Sequence, residues 1–503
     1  MSRQQATFTE TMRLAFLAAL ALCASAGAAT RFPANGATNV NPDTHLVLRF
    51  SSPPTVGRAG TIRIYDAADD RLVDELDLGI PAGPTERAPG PYPPYLATAY
   101  DYGGPRRTNA DTKPGTPSAP GVQPAAGNYQ LTIIGGFTDG FHFYPVIVHG
   151  NEATITPHHD LLRYGKTYYV RIDPGVLTVA DGSFKGVEDW RFTTKARAPA
   201  ADARRITVAA DGSGDFSTVQ GALDWVPDNH AGRVTIFVKN GDYEEIVYAR
   251  NQHDVTVQGE SRDGVRIHYA NNEVFNPHPP NVGTNELPGT FPSRRAAFAL
   301  DHVRDMVLDN LTIATTANGQ AEGLLLNGER TIVKNVTIEG AGDALQTNGS
   351  AYFENIRLTG TGDTILGRGP AYFRHCEIAS RGAFMWVRNT QANHGNVFDH
   401  CTFRATGGET VLARLPDNKG RNYPYAEAVL LDATLVGIAP EGWGPIDGDA
   451  THVRFWEFNS RTADGKPVDV SRRHPASRQL DAETSARYRD PAWVLGGWTP
   501  HSP

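Results

Sequence analysis

The chain has 503 residues, 40% of them apolar and 20% charged, the make-up of a folded globular protein too long for one small domain. Its formal charge of −8, with no dense run of Lys or Arg, argues against a nucleic-acid-binding protein. An anionic polysaccharide stays open as a ligand, because net charge does not report a local basic groove.

The N-terminus predicts an export signal over residues 1–28. Arg3 and Arg13 precede an apolar run from Leu14 to Ala24, and Ala26-Gly-Ala-Ala29 supplies an A-x-A site with the cut near Ala28. That run is too short to span a bilayer, and no later segment reaches the required length. The mature chain is therefore expected to be secreted or periplasmic, with no membrane span. Leu22 precedes Cys23 where a lipoprotein would carry a small residue. Only Cys376 and Cys401 remain after cleavage, too few for a disulfide scaffold.

Residues 30–195 alternate apolar and polar residues in short runs such as Leu46-Val-Leu-Arg-Phe50, Thr61-Ile-Arg-Ile-Tyr65, Tyr129-Gln-Leu-Thr-Ile133 and Thr167-Tyr-Tyr-Val-Arg-Ile172. Runs of this length between turn residues predict a β-sandwich. The Pro/Gly-rich stretch from Pro81 to Gly127 interrupts it as a long insertion. Residues 196–203, rich in Ala with one Pro, form a linker.

From residue 204 to 503 the texture becomes periodic. A tetrad recurs as Asn310-Leu-Thr-Ile313, Asn335-Val-Thr-Ile338, Asn355-Ile-Arg-Leu358, His375-Cys-Glu-Ile378 and His400-Cys-Thr-Phe403, with steps of 25, 20, 20 and 25 residues; Asp254-Val-Thr-Val257 is an earlier candidate member. Such a period predicts a right-handed parallel β-helix, so the whole chain is expected to be all-β. The polar first residues are expected to satisfy turn backbone at solenoid corners, in preference to ligating a metal. Cys376 and Cys401 fall on the inward apolar position of adjacent coils, where buried thiols and a disulfide are both open readings.

Two stretches inside this region are near copies: Ile338-Glu-Gly-Ala-Gly-Asp-Ala-Leu345 and Leu358-Thr-Gly-Thr-Gly-Asp-Thr-Ile365. Twenty residues separate Asp343 from Asp363. If that is one coil, the two carboxyls stack at strand-pairing distance, roughly 5 Å. Two carboxyls so close do not both ionise freely, so one tends to hold a proton while the other stays charged. A proton donor beside a nucleophile or base is what hydrolysis at a carbonyl requires.

These residues resemble the pectin methylesterase (pectinesterase) family. Ile206-Thr-Val-Ala-Ala-Asp-Gly-Ser-Gly-Asp-Phe-Ser-Thr-Val-Gln-Gly-Ala-Leu223 is similar to its opening segment, and Gly241-Asp-Tyr-Glu-Glu245 matches G-x-Y-x-E. Gln320-Ala-Glu-Gly-Leu324 stands for Q-A-V-A-L, Gly342-Asp-Ala-Leu345 for Q-D-T-L, Asp363-Thr-Ile-Leu-Gly367 for D-F-I-F-G, and Leu412-Ala-Arg-Leu-Pro416 for L-G-R-P-W. Pro440-Glu-Gly-Trp443, Phe455-Trp-Glu-Phe-Asn-Ser460 and Leu495-Gly-Gly-Trp498 resemble its closing segments. In the N-terminal part, Asp189-Trp-Arg-Phe-Thr-Thr194 resembles the closing strand of bacterial Ig-like domains.

The resemblance implies a methylated-pectin substrate and a paired-aspartate mechanism. Asp363 would attack the ester carbonyl, and Asp343 would donate a proton to methanol and later accept one from water. Arg414 would hold Asp363, and Gln320 would donate to the oxyanion. Trp386, Arg388, Tyr423 and Trp443 are expected to line the sugar groove, with Gln346 or a backbone amide the candidate to replace the amide missing at Gly342. No cofactor and no metal are implied, and a monomer is expected. Gly342, Thr364, Leu366 and Pro416 depart from the family pattern and thin the sugar platform while sparing the carboxylates. An esterase for another acylated glycan or a thioester, a pectate-lyase-like or polygalacturonase-like β-helix, and a non-catalytic carbohydrate binder are the rivals. The N-T-D-G and G-H-G motifs of polygalacturonases do not occur, and Asp301-His302 and Asp399-His400 are faint echoes of a lyase D-H pair.

Overall fold

The computed structural model describes residues 29–87, 106, 108, 109, 129–136, 140–228, 230–277, 293–417 and 422–501. The expected export signal and most of the Pro/Gly-rich stretch lie outside the described residues.

Residues 30–194 build two facing sheets. One joins Thr30–Phe32, Leu46–Arg49, Glu152–Ile155 and Val146–His149; the other joins Ala37–Val40, Val187–Thr194, Thr167–Ile172, Thr61–Asp66 and Arg71–Asp77. Along Thr61–Asp66 burial alternates residue by residue, as the period of two along a strand requires. Ile62 and Ile64 thereby meet Leu46, Leu48, Val170 and Trp190 in one apolar layer between the sheets. The Trp190 indole N–H donates to the Pro33 carbonyl at 2.8 Å, so its one polar atom is satisfied inside that layer.

From Arg205 onward the chain winds into a right-handed parallel β-helix. Among the described residues its three walls hold 11, 9 and 6 strands. The tetrads mark one corner of each coil. Asn310, Asn335, Asn355, His375 and His400 all take left-handed backbone, with φ between 52° and 60°, a region in which Asn is strongly over-represented. Asp254 begins this series, and Asp432 and Asn459 extend it beyond the tetrads visible in the sequence. The corner amides bond along the stack, Asn355 Nδ2 to Asn335 Oδ1 at 2.7 Å and Asn310 Nδ2 to the Gly259 carbonyl at 3.1 Å. At its far end Asp399, His400 and Asp432 converge closely enough to hold a cation. Arg489 already bonds both carboxylates there, so the cluster is an ion-pair network.

Inside the solenoid, like side chains stack coil upon coil. Phe353, Phe373 and Phe398 are fully buried with ring centroids 4.4 and 4.5 Å apart. Cys376 and Cys401 occupy the neighbouring column as free buried thiols, with the Cys376 amide 3.4 Å from the Cys401 sulfur. The G-x-Y-x-E segment has a structural role. Tyr243 enters the core, and the buried Glu245 carboxylate accepts the Val219 and Gln220 amides at 2.8 and 2.9 Å, satisfying the first turn of helix Val219–Trp225.

The sandwich packs on the first coils. Asp43 accepts bonds from the Ser217 and Thr218 amides at 2.9 and 2.8 Å, and His159 lies 2.7 Å from Asp224. On the six-stranded wall, the outward side chains Tyr248, Ala299 and Leu325 are sealed beneath Ile134, Phe141 and Phe275. The next outward rungs are Gln346, Leu366 and Trp386.

Candidate active site

Two tight turns carry the aspartates. A Cβ on Gly340 would sit 2.5 Å from Ala344, and one on Gly360 would sit 2.5 Å from the Thr364 hydroxyl, so the first glycine of each Gly-x-Gly permits the chain to fold back on itself. The turns leave Asp343 and Asp363 in left-handed backbone, at φ 65° and 43°. Gln320, Gly342 and Gly362 bridge in parallel across three coils, and Leu345 pairs with Ile365. The Asp343 amide donates to the Gly362 carbonyl at 3.1 Å. The two aspartates therefore occupy the same register on adjacent coils, about 4.8 Å apart along the backbone stack.

Each carboxylate has its own guanidinium. Arg414 is delivered from two coils beyond Asp363: Met385 pairs with Ile365 on the intervening coil, Ala413 bridges Met385, and the Arg414 amide donates to the Met385 carbonyl at 3.1 Å. Its fork meets Asp363, Nε on Oδ1 at 2.8 Å and Nη2 on Oδ2. Asp343 is buried, and its Oδ2 accepts from Arg295 Nη2 at 3.0 Å. Burial pushes the Asp343 carboxyl above its usual range; Arg295 opposes this, the Asp363 charge adds to it, and Arg388 opposes it again. Asp343 thus holds a proton more readily than an ordinary aspartate does.

The remaining predicted residues divide. Gln320 is exposed on the coil before Asp343, with its backbone carbonyl taken by the Glu273 amide at 3.0 Å. Gln346 is buried between Leu325 and Leu366, and its Oε1 has no hydrogen-bond partner among the described residues. Trp386 is half-buried; the Arg388 guanidinium lies 3.7 Å from its ring centroid and that of Arg414 5.4 Å. Tyr423 meets Trp386 edge-on at 6.3 Å, and Arg368 reaches the Tyr423 hydroxyl at 3.4 Å.

Trp443 is a correction. It is fully buried, stacked on Phe455 at 4.9 Å, with its indole N–H on Glu457 at 3.0 Å, so it belongs to the core and not to the groove.

Two residues at the site escaped the sequence reading. Arg295 Nε donates to both oxygens of Glu322 at 2.8 and 2.9 Å, and its Nη2 lies 2.7 Å from Glu322 Oε1 while also serving Asp343. The signal was present: Glu322 stands where Q-A-V-A-L has valine, and a glutamate in a buried slot demands a partner.

The sequence model of the family described as Pectinesterase matches residues 205–474. Pectinesterase 4 of Arabidopsis thaliana is 27% identical over 292 residues, covering 51% of this chain and 45% of that protein. Pectinesterase QRT1 of the same plant is 28% identical over 339 residues, 62% of this chain and 84% of that protein. The chain thus spans less than half the length of the first of these relatives. Among solved structures, the pectin methylesterase from carrot superposes with a TM-score of 0.50 at 23% identity, covering 58% of this chain and 93% of that one, a likeness of fold. With the model match spanning more than half of its length, the chain belongs to the pectinesterase family.

Proposed function

We propose that the chain hydrolyses methyl esters of pectin to pectate and methanol. The observation that carries this reading is the pair itself: two aspartates in one register on adjacent coils, one gripped by the Arg414 fork and the other buried, where desolvation raises its carboxyl above the usual range. An oxygen of Asp363 attacks the ester carbonyl, and the tetrahedral oxyanion takes a hydrogen bond from the Gln320 amide. Asp343 gives its proton to the departing methoxy oxygen, so methanol leaves and an acyl-enzyme remains. Water then attacks the acyl carbon while Asp343 takes up its proton, releasing the galacturonate carboxylate and restoring Asp363. Trp386 and Tyr423, with Arg388 and Arg368, offer aromatic faces and cations to an acidic sugar chain.

The same reading makes residues 1–28 an export signal and the N-terminal sandwich an Ig-like domain. Support for the first is the charged, apolar and small-residue sequence of that segment; support for the second is the two-sheet packing around Trp190. Among the described residues no helix is long and apolar enough to cross a membrane.

A second reading, an esterase for another acylated glycan, is favoured by one observation. Thr364 and Leu366 replace both aromatics that follow the nucleophile in the family pattern, and both are buried here. A methanol-release assay on highly methylated pectin, with acetate release from acetylated glycans measured beside it, separates the two. Methanol without acetate supports the first reading, and acetate without methanol replaces it with the second.

A further inference from the structure

We propose that Arg295 and Glu322 form a buried charge pair that governs where and when Asp343 holds its proton, which makes Arg295 a positioning residue for the acid–base group. The inference rests on the esterase reading above and deepens it. Glu322 locks the guanidinium plane through both carboxylate oxygens and thereby aims Nη2 at Asp343 Oδ2, 3.0 Å away. With Oδ2 occupied by a donor, the proton that Asp343 delivers and recovers sits on Oδ1.

Packing alone does not account for the pair. The Glu322 side chain has no exposed surface, and Arg295 is 15% exposed. A buried ion pair is commonly no better for stability than apolar residues of similar size, and the family pattern has valine in this slot. What the pair changes is the field at Asp343. The charged groups facing that carboxyl are Arg295 and Asp363 by contact and register, then Arg388 and Arg414 from the following coils. Behind Arg295 stand Glu322 and Glu273, and Arg87 pairs with Glu273 in turn. Arg295 favours the charged form of Asp343, and Glu322 cancels part of that effect.

The two partners must then act with opposite sign. Methanol release needs protonated Asp343 in the first half-reaction, so the alkaline limb of the kcat profile follows this carboxyl. In Arg295→Gln the cation is lost and the limb moves to higher pH, by about one unit. In Glu322→Gln the cation is no longer compensated and the limb moves to lower pH by a similar amount. Arg295→Lys keeps the charge and holds the limb near wild type, while kcat falls about tenfold because the fork is lost.

The test is the pH profile of kcat and KM for wild type and these three variants, with thermal melts as folding controls. Opposite limb movements in the two Gln variants support the pair. Coincident limbs, or movement in one direction in both, overturn it. If Arg295→Gln does not fold, Glu322→Gln decides, since a limb that stays or rises there contradicts the account. Difference infrared titration against Asp343→Asn follows the same carboxyl without turnover. Opposite shifts there, with no methanol released by wild type, would retain the pair and remove the esterase reading.

Discussion

Replacing Arg414 by Gln removes both charge-assisted contacts to Asp363, Nε on Oδ1 at 2.8 Å and Nη2 on Oδ2. Hydrogen bonds to charged groups contribute about 1.5–3 kcal/mol each. The two side chains are 34% and 12% exposed, so solvent screening takes roughly half of the sum and leaves about 1.5–3 kcal/mol. If that energy orients the attacking carboxylate, kcat for methanol release falls about 13- to 160-fold, at 1.36 kcal/mol per tenfold, while KM changes little. Arg414→Lys keeps one contact and the charge, and loses about tenfold. Initial rates on methylated pectin at saturating substrate provide the measurement. A Gln variant within twofold of wild type would refute the assignment of Arg414 to the nucleophile.

Three further outcomes follow from the same geometry. Phe373→Ala opens a void between Phe353 and Phe398 and should cost about 3–5 kcal/mol in denaturant unfolding; a loss below about 1 kcal/mol would show that the stack collapses to fill it. Burial pushes Glu245 up to about 7 from 4.5, so its contribution to stability is fully present below pH 4.5 and is lost as pH rises through 7, by on the order of 3 kcal/mol. Glu245→Gln should flatten the fall in unfolding free energy between pH 5 and 8, and an unchanged slope would contradict this. Cys376 and Cys401, each 1% exposed, should resist alkylation in the folded chain and both react after unfolding without reductant; no reaction after unfolding would reveal a disulfide.

Much of the solenoid was legible because its physics is local and repeated. Asn310, Asn335 and Asn355 announce corners through their tolerance of left-handed backbone, and the interval from Asp343 to Asp363 equals one coil. The doubled Gly-x-Gly-Asp could be read in the same way, since each turn is set by its own glycine. Contacts between coils were less accessible. Arg295 and Glu322 lie 27 residues apart, just ahead of strands on successive coils, and only the winding brings both to Asp343. Trp443 was misread because an aromatic side chain carries no mark of the wall it faces. Its partners, Phe455 and Glu457, come from the next coil and bury it. The cover over Tyr248, Ala299 and Leu325 arises from a distant part of the chain, which alternation within a strand does not encode.

The most direct measurement is methanol release by Asp363→Asn on highly methylated pectin, with Asp363→Ala beside it to exclude rescue by deamidation. The account predicts folded variants that still melt cooperatively and a rate lowered on the order of 10⁴-fold, the scale on which loss of a catalytic group is felt. A folded Asp363→Ala variant that releases methanol at the wild-type rate would contradict the paired-carboxylate mechanism.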